Sequence, residues 1–329
     1  MEGLINVNLT HVIINRAEGL KNNDMHTRRS FLKTSSIYSA GILAAPGLSS
    51  FVKPDRDMKA LGLQLYTVRD AMAKDPTGTL AKVARIGYNS LEGATYTGTE
   101  KFYGMDPHTF AGVLKNNGLI MRSCHYRYGE DPSGAPALTD GVFNGTILHD
   151  WDKTVADAHA LGIKYMVCAW LSEKERVGLD HYKKMAADFN VAGEKCKAAG
   201  IQFCYHNHDF EFDPKYGATL PYQVLLENTD PKLVKFELDL FWATKAGHDP
   251  VTIFQNHPGR FPLWHLKDVA KTAPYDTAAV GTGTIDFKKI FMSAKTAGLQ
   301  YWFVEQDRTP GSPFDAITES ISYIKANLV

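Results

Sequence analysis

Five segments of the chain share one grammar: "RIGYNSLE", "NNGLIMRS", "ALGIKYMV", "AAGIQFCY" and "TAGLQYWF". Each carries a polar or small residue, then a glycine, then an apolar run. Gly87, Gly118, Gly162, Gly200 and Gly298 are placed to end helices in the left-handed conformation. The runs that follow read as strands buried on both faces. Eight such runs are present, at 61–66, 89–94, 119–124, 164–170, 201–206, 234–240, 263–267 and 300–304. Helical patterns lie between them, clearest at 179–199, 249–257, 286–297 and 313–328. Strict alternation of strand and helix implies a parallel sheet. Eight units over about 270 residues match a single (β/α)8 TIM barrel, spanning 60–329. An open doubly wound sheet would carry a glycine-rich phosphate loop after its first strand. Here "LYTVRDAM" follows instead, and the glycines of "GTGTID" (281–286) come too late to make that case.

The first 50 residues read as a leader rather than as part of the barrel. "TRRSFLKTSSIYSAGILAAPG" (27–47) has paired arginines, a short apolar run and then small residues. The hexamer RRSFLK resembles a twin-arginine export signal, so the expected location is periplasmic. Met25 stands just upstream and is the expected true start. No cysteine follows the apolar run, so no lipid anchor is expected at that site. No later segment offers 18 consecutive apolar residues, and no membrane association is expected once the signal is removed.

Without residues 1–50 the chain keeps 31 of its 36 basic and 33 of its 36 acidic residues, a net charge of −2. A near-neutral surface with no basic block argues against nucleic-acid binding. The four cysteines, at 124, 168, 196 and 204, form no close metal-type pair and read as buried thiols.

In a (β/α)8 barrel the C-terminal strand ends converge on one face, where sites are built. The ends bring Gln64 and Tyr66, Glu92, His125 and Tyr126, and Trp170 from the first four strands. The fifth brings His206, His208 and Glu211, and the sixth Glu237 and Asp239. The seventh brings His265, Lys267 and Asp268, and the eighth Glu305 and Asp307. Carboxylates gathered in a barrel mouth repel one another unless a cation joins them. Mixed oxygen and imidazole ligands suit one divalent ion, Mn2+, Co2+, Mg2+ or Zn2+.

The chain from about residue 60 onward resembles the xylose isomerase-like superfamily of sugar phosphate isomerases and epimerases. "ELDLFW", "HLKD" and "VEQD" match its last three ligand motifs and imply Asp239, His265 and Glu305 as metal ligands. The family's first ligand is a glutamate at the tip of the fifth strand. This chain has His206 there and Glu211 a little later. Glu211 is the expected fourth ligand, folding back from the loop, with His206 or His208 as alternatives.

The resemblance implies a metal-dependent isomerase or epimerase acting on a ketose or keto-sugar through an enediolate. Glu305, His206, His208, Lys267 and His125 are the candidate catalytic residues. The crowding of histidines leaves a second course open, in which an imidazole base drives elimination or hydration on a 3-keto-glycoside. His125 reads either as a site residue or as a core histidine. Lys267 either holds a substrate oxygen or pairs with Asp268. Trp170, Trp242 and Tyr66 are candidates for stacking on a sugar ring or for wall packing. Two other courses are weaker. An apurinic endonuclease would need several metals and a basic groove. A non-catalytic sugar-binding barrel would tolerate loss of a ligand. Whatever the activity, the expected partner is a small-molecule sugar, and a homo-oligomer is left open. A phosphorylated substrate is not expected for an exported protein without a phosphate loop.

Overall fold

A computed structural model describes residues 60–129, 145–272 and 277–329. The leader over 1–50 and the start at Met25 lie outside the described residues. Eight parallel strands close into a barrel in chain order. They are β1 (Gly62–Gln64), β2 (Ser90–Gly93), β3 (Ile120–Arg127), β4 (Tyr165–Trp170), β5 (Gln202–His206), β6 (Val234–Asp239), β7 (Leu263–Leu266) and β8 (Tyr301–Val304). β8 returns to β1 through Gly62 beside Phe303. All five junction glycines have positive φ, from 67° to 114°, so each ends its helix where a side chain would be strained.

The expected runs hold with local differences. β1 stops at Gln64, because its side-chain oxygen accepts the Tyr66 N–H at 3.0 Å and starts a 3-10 turn over Leu65–Val68. β3 runs on past 124, which keeps His125 within the strand. The 286–297 pattern is two short helices, Phe287–Phe291 and Ala294–Ala297. The helices at Leu179–Ala198, Pro250–Asn256 and Pro313–Asn327 follow their patterns closely.

Alternation along the strands sorts the side chains. Val167, Cys204, Leu263 and Phe303 pack together as an apolar plug inside the barrel. Their outward neighbours, among them Phe203, Tyr205, Phe236, Trp264 and Trp302, join the larger core shared with the helices. The next inward residues toward the C-terminal ends are polar: His206 after Cys204, His265 after Leu263, Glu305 after Phe303. The plug therefore forms a dry floor beneath the polar cluster.

Asp268 explains the GTGTID segment. Its buried carboxylate accepts the N–H groups of Gly281, Gly283 and Ile285 at 2.9–3.0 Å. A Cβ on Gly283 would come within 2.3 Å of that carboxylate, so only glycine fits. These amides are thus already used by the protein's own carboxylate. Among the described residues no helix is long and apolar enough to cross a membrane.

Candidate metal centre at the barrel mouth

β6, β7 and the end of β8 bring Asp239, His265 and Glu305 together, with one ligand atom from each within 4.8 Å of the others. A second such group, His125, His206, Glu237 and His265, adjoins it and shares His265. Glu92, Glu237, Asp239 and His265 are fully buried.

The two groups do different work. Glu237 Oε2 lies 3.1 Å from His206 Nδ1, which leaves His206 Nε2 facing Asp239 Oδ2 at 3.9 Å. Glu92 Oε1 lies 2.6 Å from His265 Nε2. That leaves His265 Nδ1 facing Glu305 Oε2 at 3.0 Å and Asp239 Oδ2 at 3.8 Å. Two deep carboxylates thus fix two imidazoles with their other nitrogens turned toward Asp239 and Glu305. This is the carboxylate–histidine arrangement that orients metal ligands. Ligand atoms around an ion at about 2.0–2.2 Å lie roughly 3–4 Å from one another, and the His206–Asp239, Asp239–His265 and His265–Glu305 approaches, at 3.9, 3.8 and 3.0 Å, have that spacing.

His125 completes the floor. Its Nε2 is 3.0 Å from both Glu92 Oε1 and Glu237 Oε2, and Gln64 Nε2 donates to Glu92 at 2.9 Å. His125 is therefore part of the buried cluster. Burial disfavours its charge, but the two carboxylates outweigh that and raise its pKa to about 9. The His265 pKa is likewise raised well above its ordinary value, because Glu237, Glu305 and Glu92 outweigh burial. His206 and His208 are pushed well below the usual value by burial and by the cations around them.

Lys267 places an ammonium where positive charge is needed. Its Nζ is 2.7 Å from Glu305 Oε2, 3.0 Å from Asp239 Oδ2 and 3.0 Å from Asp307 Oδ2. It thus pairs with these three, whereas Asp268 is spent on its loop. Asp239 Oδ2 is buried without an aligned hydrogen bond, and burial raises the Asp239 pKa to about 6. Buried oxygens of Glu92 and Glu237 also lack partners. A lone ammonium among underserved carboxylates marks a place fit for a cation of higher charge.

Glu211 does not join either group. Its carboxylate accepts the Tyr205 hydroxyl and the His208 backbone N–H, the latter at 2.8 Å. Tyr205 points out of the barrel against Phe189 and Phe236, so Glu211 is drawn to the outer side of β5. Of the two candidates expected for a fourth ligand, it is His206, not Glu211, that turns a nitrogen toward Asp239, at 3.9 Å. The parity of Tyr205 and His206 on one strand is the signal that separates them.

His208 stands at the mouth. Its ring stacks on Phe210 at 5.4 Å, meets Trp170 edge-on at 4.9 Å and lies 5.0 Å from His206. Its Nδ1 is buried without a partner. Trp170 and Tyr66 are 40% and 42% exposed at the rim, with the Arg176 guanidinium 5.9 Å from the Trp170 ring centre and that of Arg69 4.3 Å from the Tyr66 ring centre.

The family's profile matches residues 80–327, so the chain belongs to the xylose isomerase-like TIM barrel family. A crystal structure from Parabacteroides distasonis ATCC 8503, described as a sugar phosphate isomerase/epimerase, is 28% identical. It covers 86% of this chain and 99% of its own, with a TM-score of 0.67. An inosose dehydratase of Lacticaseibacillus casei is 24% identical over 202 residues, 52% of this chain and 67% of that protein. The inosose dehydratase of Geobacillus thermodenitrificans (strain NG80-2) is 30% identical over 156 residues, 41% and 51% respectively. The chain thus matches about half to two thirds of the length of these curated relatives.

Proposed function

We propose that the protein is a divalent-metal-dependent enzyme that removes the proton beside the carbonyl of a keto-sugar or keto-polyol and expels water. The family and its relatives support a sugar-modifying enzyme of the isomerase, epimerase or dehydratase kind. The carrying observation is the pair of imidazoles, His206 and His265, turned by Glu237 and Glu92 toward Asp239 and Glu305. His206, Asp239, His265 and Glu305 would hold the ion. When bound, it supplies Lewis-acid polarisation of a carbonyl and its neighbouring hydroxyl.

The protein's own groups do the rest. His208 offers an unpaired imidazole nitrogen at the mouth and is the proton acceptor. Lys267, held by Asp307, donates to the departing hydroxyl. The C–H bond breaks, a C=C bond forms, the C–O bond breaks, and water leaves. Trp170 and Tyr66 form the walls against which the apolar face of a ring rests.

Epimerisation is the second reading, favoured by the similarity to the P. distasonis protein. Returning a proton to the opposite face calls for a second free acid–base group. Glu305 is the carboxylate at hand, and it is tied to His265 and Lys267. Elimination uses the base and acid already described. The test is to incubate metal-loaded protein with an inosose and with 3-keto-glycosides in D2O, followed by NMR. Deuterium at the α carbon reports proton abstraction, and the product separates loss of water from epimer. No exchange with any of these would refute the enzyme and leave a sugar-binding barrel. Export through the 27–47 segment belongs to this proposal and is tested by fusing residues 1–59 to a reporter that is active only when exported.

A further inference from the structure

We propose that Glu211 is a positioning residue that holds the turn after β5 so that the His208 imidazole faces the site. The proposal rests on the reading of His208 as the proton acceptor. Glu211 is fully buried, and both of its recorded partners are uncharged. A buried carboxyl group is costly unless its hydrogen bonds are worth keeping. One bond goes to the hydroxyl of Tyr205, which is itself locked among Phe189 and Phe236. The other goes to the backbone N–H of His208, three residues back. One side chain therefore ties the turn to an immobile residue on the outer face of the barrel. Between the two anchors, Asn207 Oδ1 accepts the Asp239 N–H at 3.1 Å, so the turn is also fixed to the tip of β6. The His208 ring is then delivered between Trp170, Phe210 and Trp242. None of these neighbours hydrogen-bonds the ring, and its Nδ1 stays unpartnered. Its direction is thus set by the backbone, and the backbone is set by Glu211.

The experiment uses the full chain, metal-loaded, as wild type, Glu211→Gln and Glu211→Ala. Three quantities are read: metal content, the rate at which diethyl pyrocarbonate acylates the His208 peptide, and kcat and KM on an inosose in D2O. Both variants should retain the wild-type metal content. Glu211→Ala should acylate faster at His208 and lose about 100-fold in kcat with little change in KM, as for a group misplaced by about 1 Å. Glu211→Gln should restore much of the loss, because its amide oxygen still accepts from His208 and its NH2 reaches the Tyr205 oxygen. Loss of metal in both variants would make Glu211 a ligand and overturn the proposal. Unchanged acylation and kcat in Glu211→Ala would reduce it to core filling. If wild type turns over nothing, the functional reading fails separately and the acylation rates decide the positioning role alone. Should Glu211→Ala not fold, Tyr205→Phe removes one of the two anchors and takes its place.

Discussion

Replacing Lys267 by methionine tests whether the ammonium stands where a metal ion belongs. The side chain is 1% exposed, and its Nζ touches Asp239, Glu305 and Asp307. Asp307 is 27% exposed and its share is screened by water, so the two buried carboxylates decide the outcome. Removing one partner of a buried ion pair costs about 3–5 kcal/mol, because the remaining charges stay buried and uncompensated. The cost depends on pH. Without the ammonium, the carboxyl groups of Asp239 and Glu305 rise in pKa. A raised acid is stable when protonated and loses stability as pH climbs above its unfolded value, 3.8 for Asp and 4.5 for Glu. The deficit should therefore be smaller near pH 4.5 than at pH 7. A divalent ion at about 100 times its Kd adds roughly 2.7 kcal/mol and should recover most of the loss. Chemical denaturation of metal-free K267M and wild type at both pH values, with and without Mn2+ or Zn2+, gives the numbers. A deficit equal at the two pH values, or untouched by either ion, would refute the stand-in argument.

Three further outcomes follow from the same geometry. Burial raises the Glu211 pKa from 4.5 to about 7, so wild type should lose about 3 kcal/mol between those pH values relative to Glu211→Gln, read as the difference between their denaturation midpoints. The groups facing Glu211 are the hydroxyls of Tyr205, Tyr182 and Tyr222, the Cys168 thiol and the Arg176 guanidinium, and they are common to both proteins. Glu237, Glu305 and Glu92 outweigh burial and raise the His265 pKa, so metal uptake there should release protons, measured by calorimetry in buffers of different ionisation enthalpy; none released would place the ion elsewhere. Trp170→Ala should raise KM about threefold to tenfold with kcat unchanged if the ring packs on substrate, and a fall in kcat alone would assign it to orienting His208.

The barrel was legible because its signals are local. A glycine ends each of five helices, and the run after it is apolar on both faces. The convergence of Asp239, His265 and Glu305 follows from the same register, since each stands at or just beyond the end of an inward-facing series. What escaped was the direction of individual polar groups. Glu92 and Glu237 are visible as strand-tip carboxylates, but their pairing with His265 and His206 depends on barrel closure, which brings β2 across to β7. Glu211 stands apart from both groups for a related reason. Counting residues from the strand tip allows it to fold back inward, while the outward parity of Tyr205 pulls it the other way. The partners of Lys267 are Asp239, Glu305 and Asp307, not its neighbour in sequence, because Asp268 is consumed by the Gly281–Ile285 amides.

An imidazole at the β5 tip also changes the charge balance of the site. With a glutamate there, three carboxylates would face the ion directly. With His206, on the proposed reading, two would face it, Asp239 and Glu305, while Glu237 would act through the ring. The negative charge is kept but set back, and it strengthens His206 as a donor by holding its other nitrogen. One consequence is chemical. A carboxylate at that tip could serve both the ion and the substrate proton, whereas an imidazole used as a ligand has no lone pair left for the second task. Under the proposed function, proton removal then falls to His208, two residues on, whose Nδ1 has no hydrogen-bond partner. On the proposed reading, the imidazole at 206 and the anchored imidazole at 208 are therefore two parts of one arrangement, with base and ligand as separate residues.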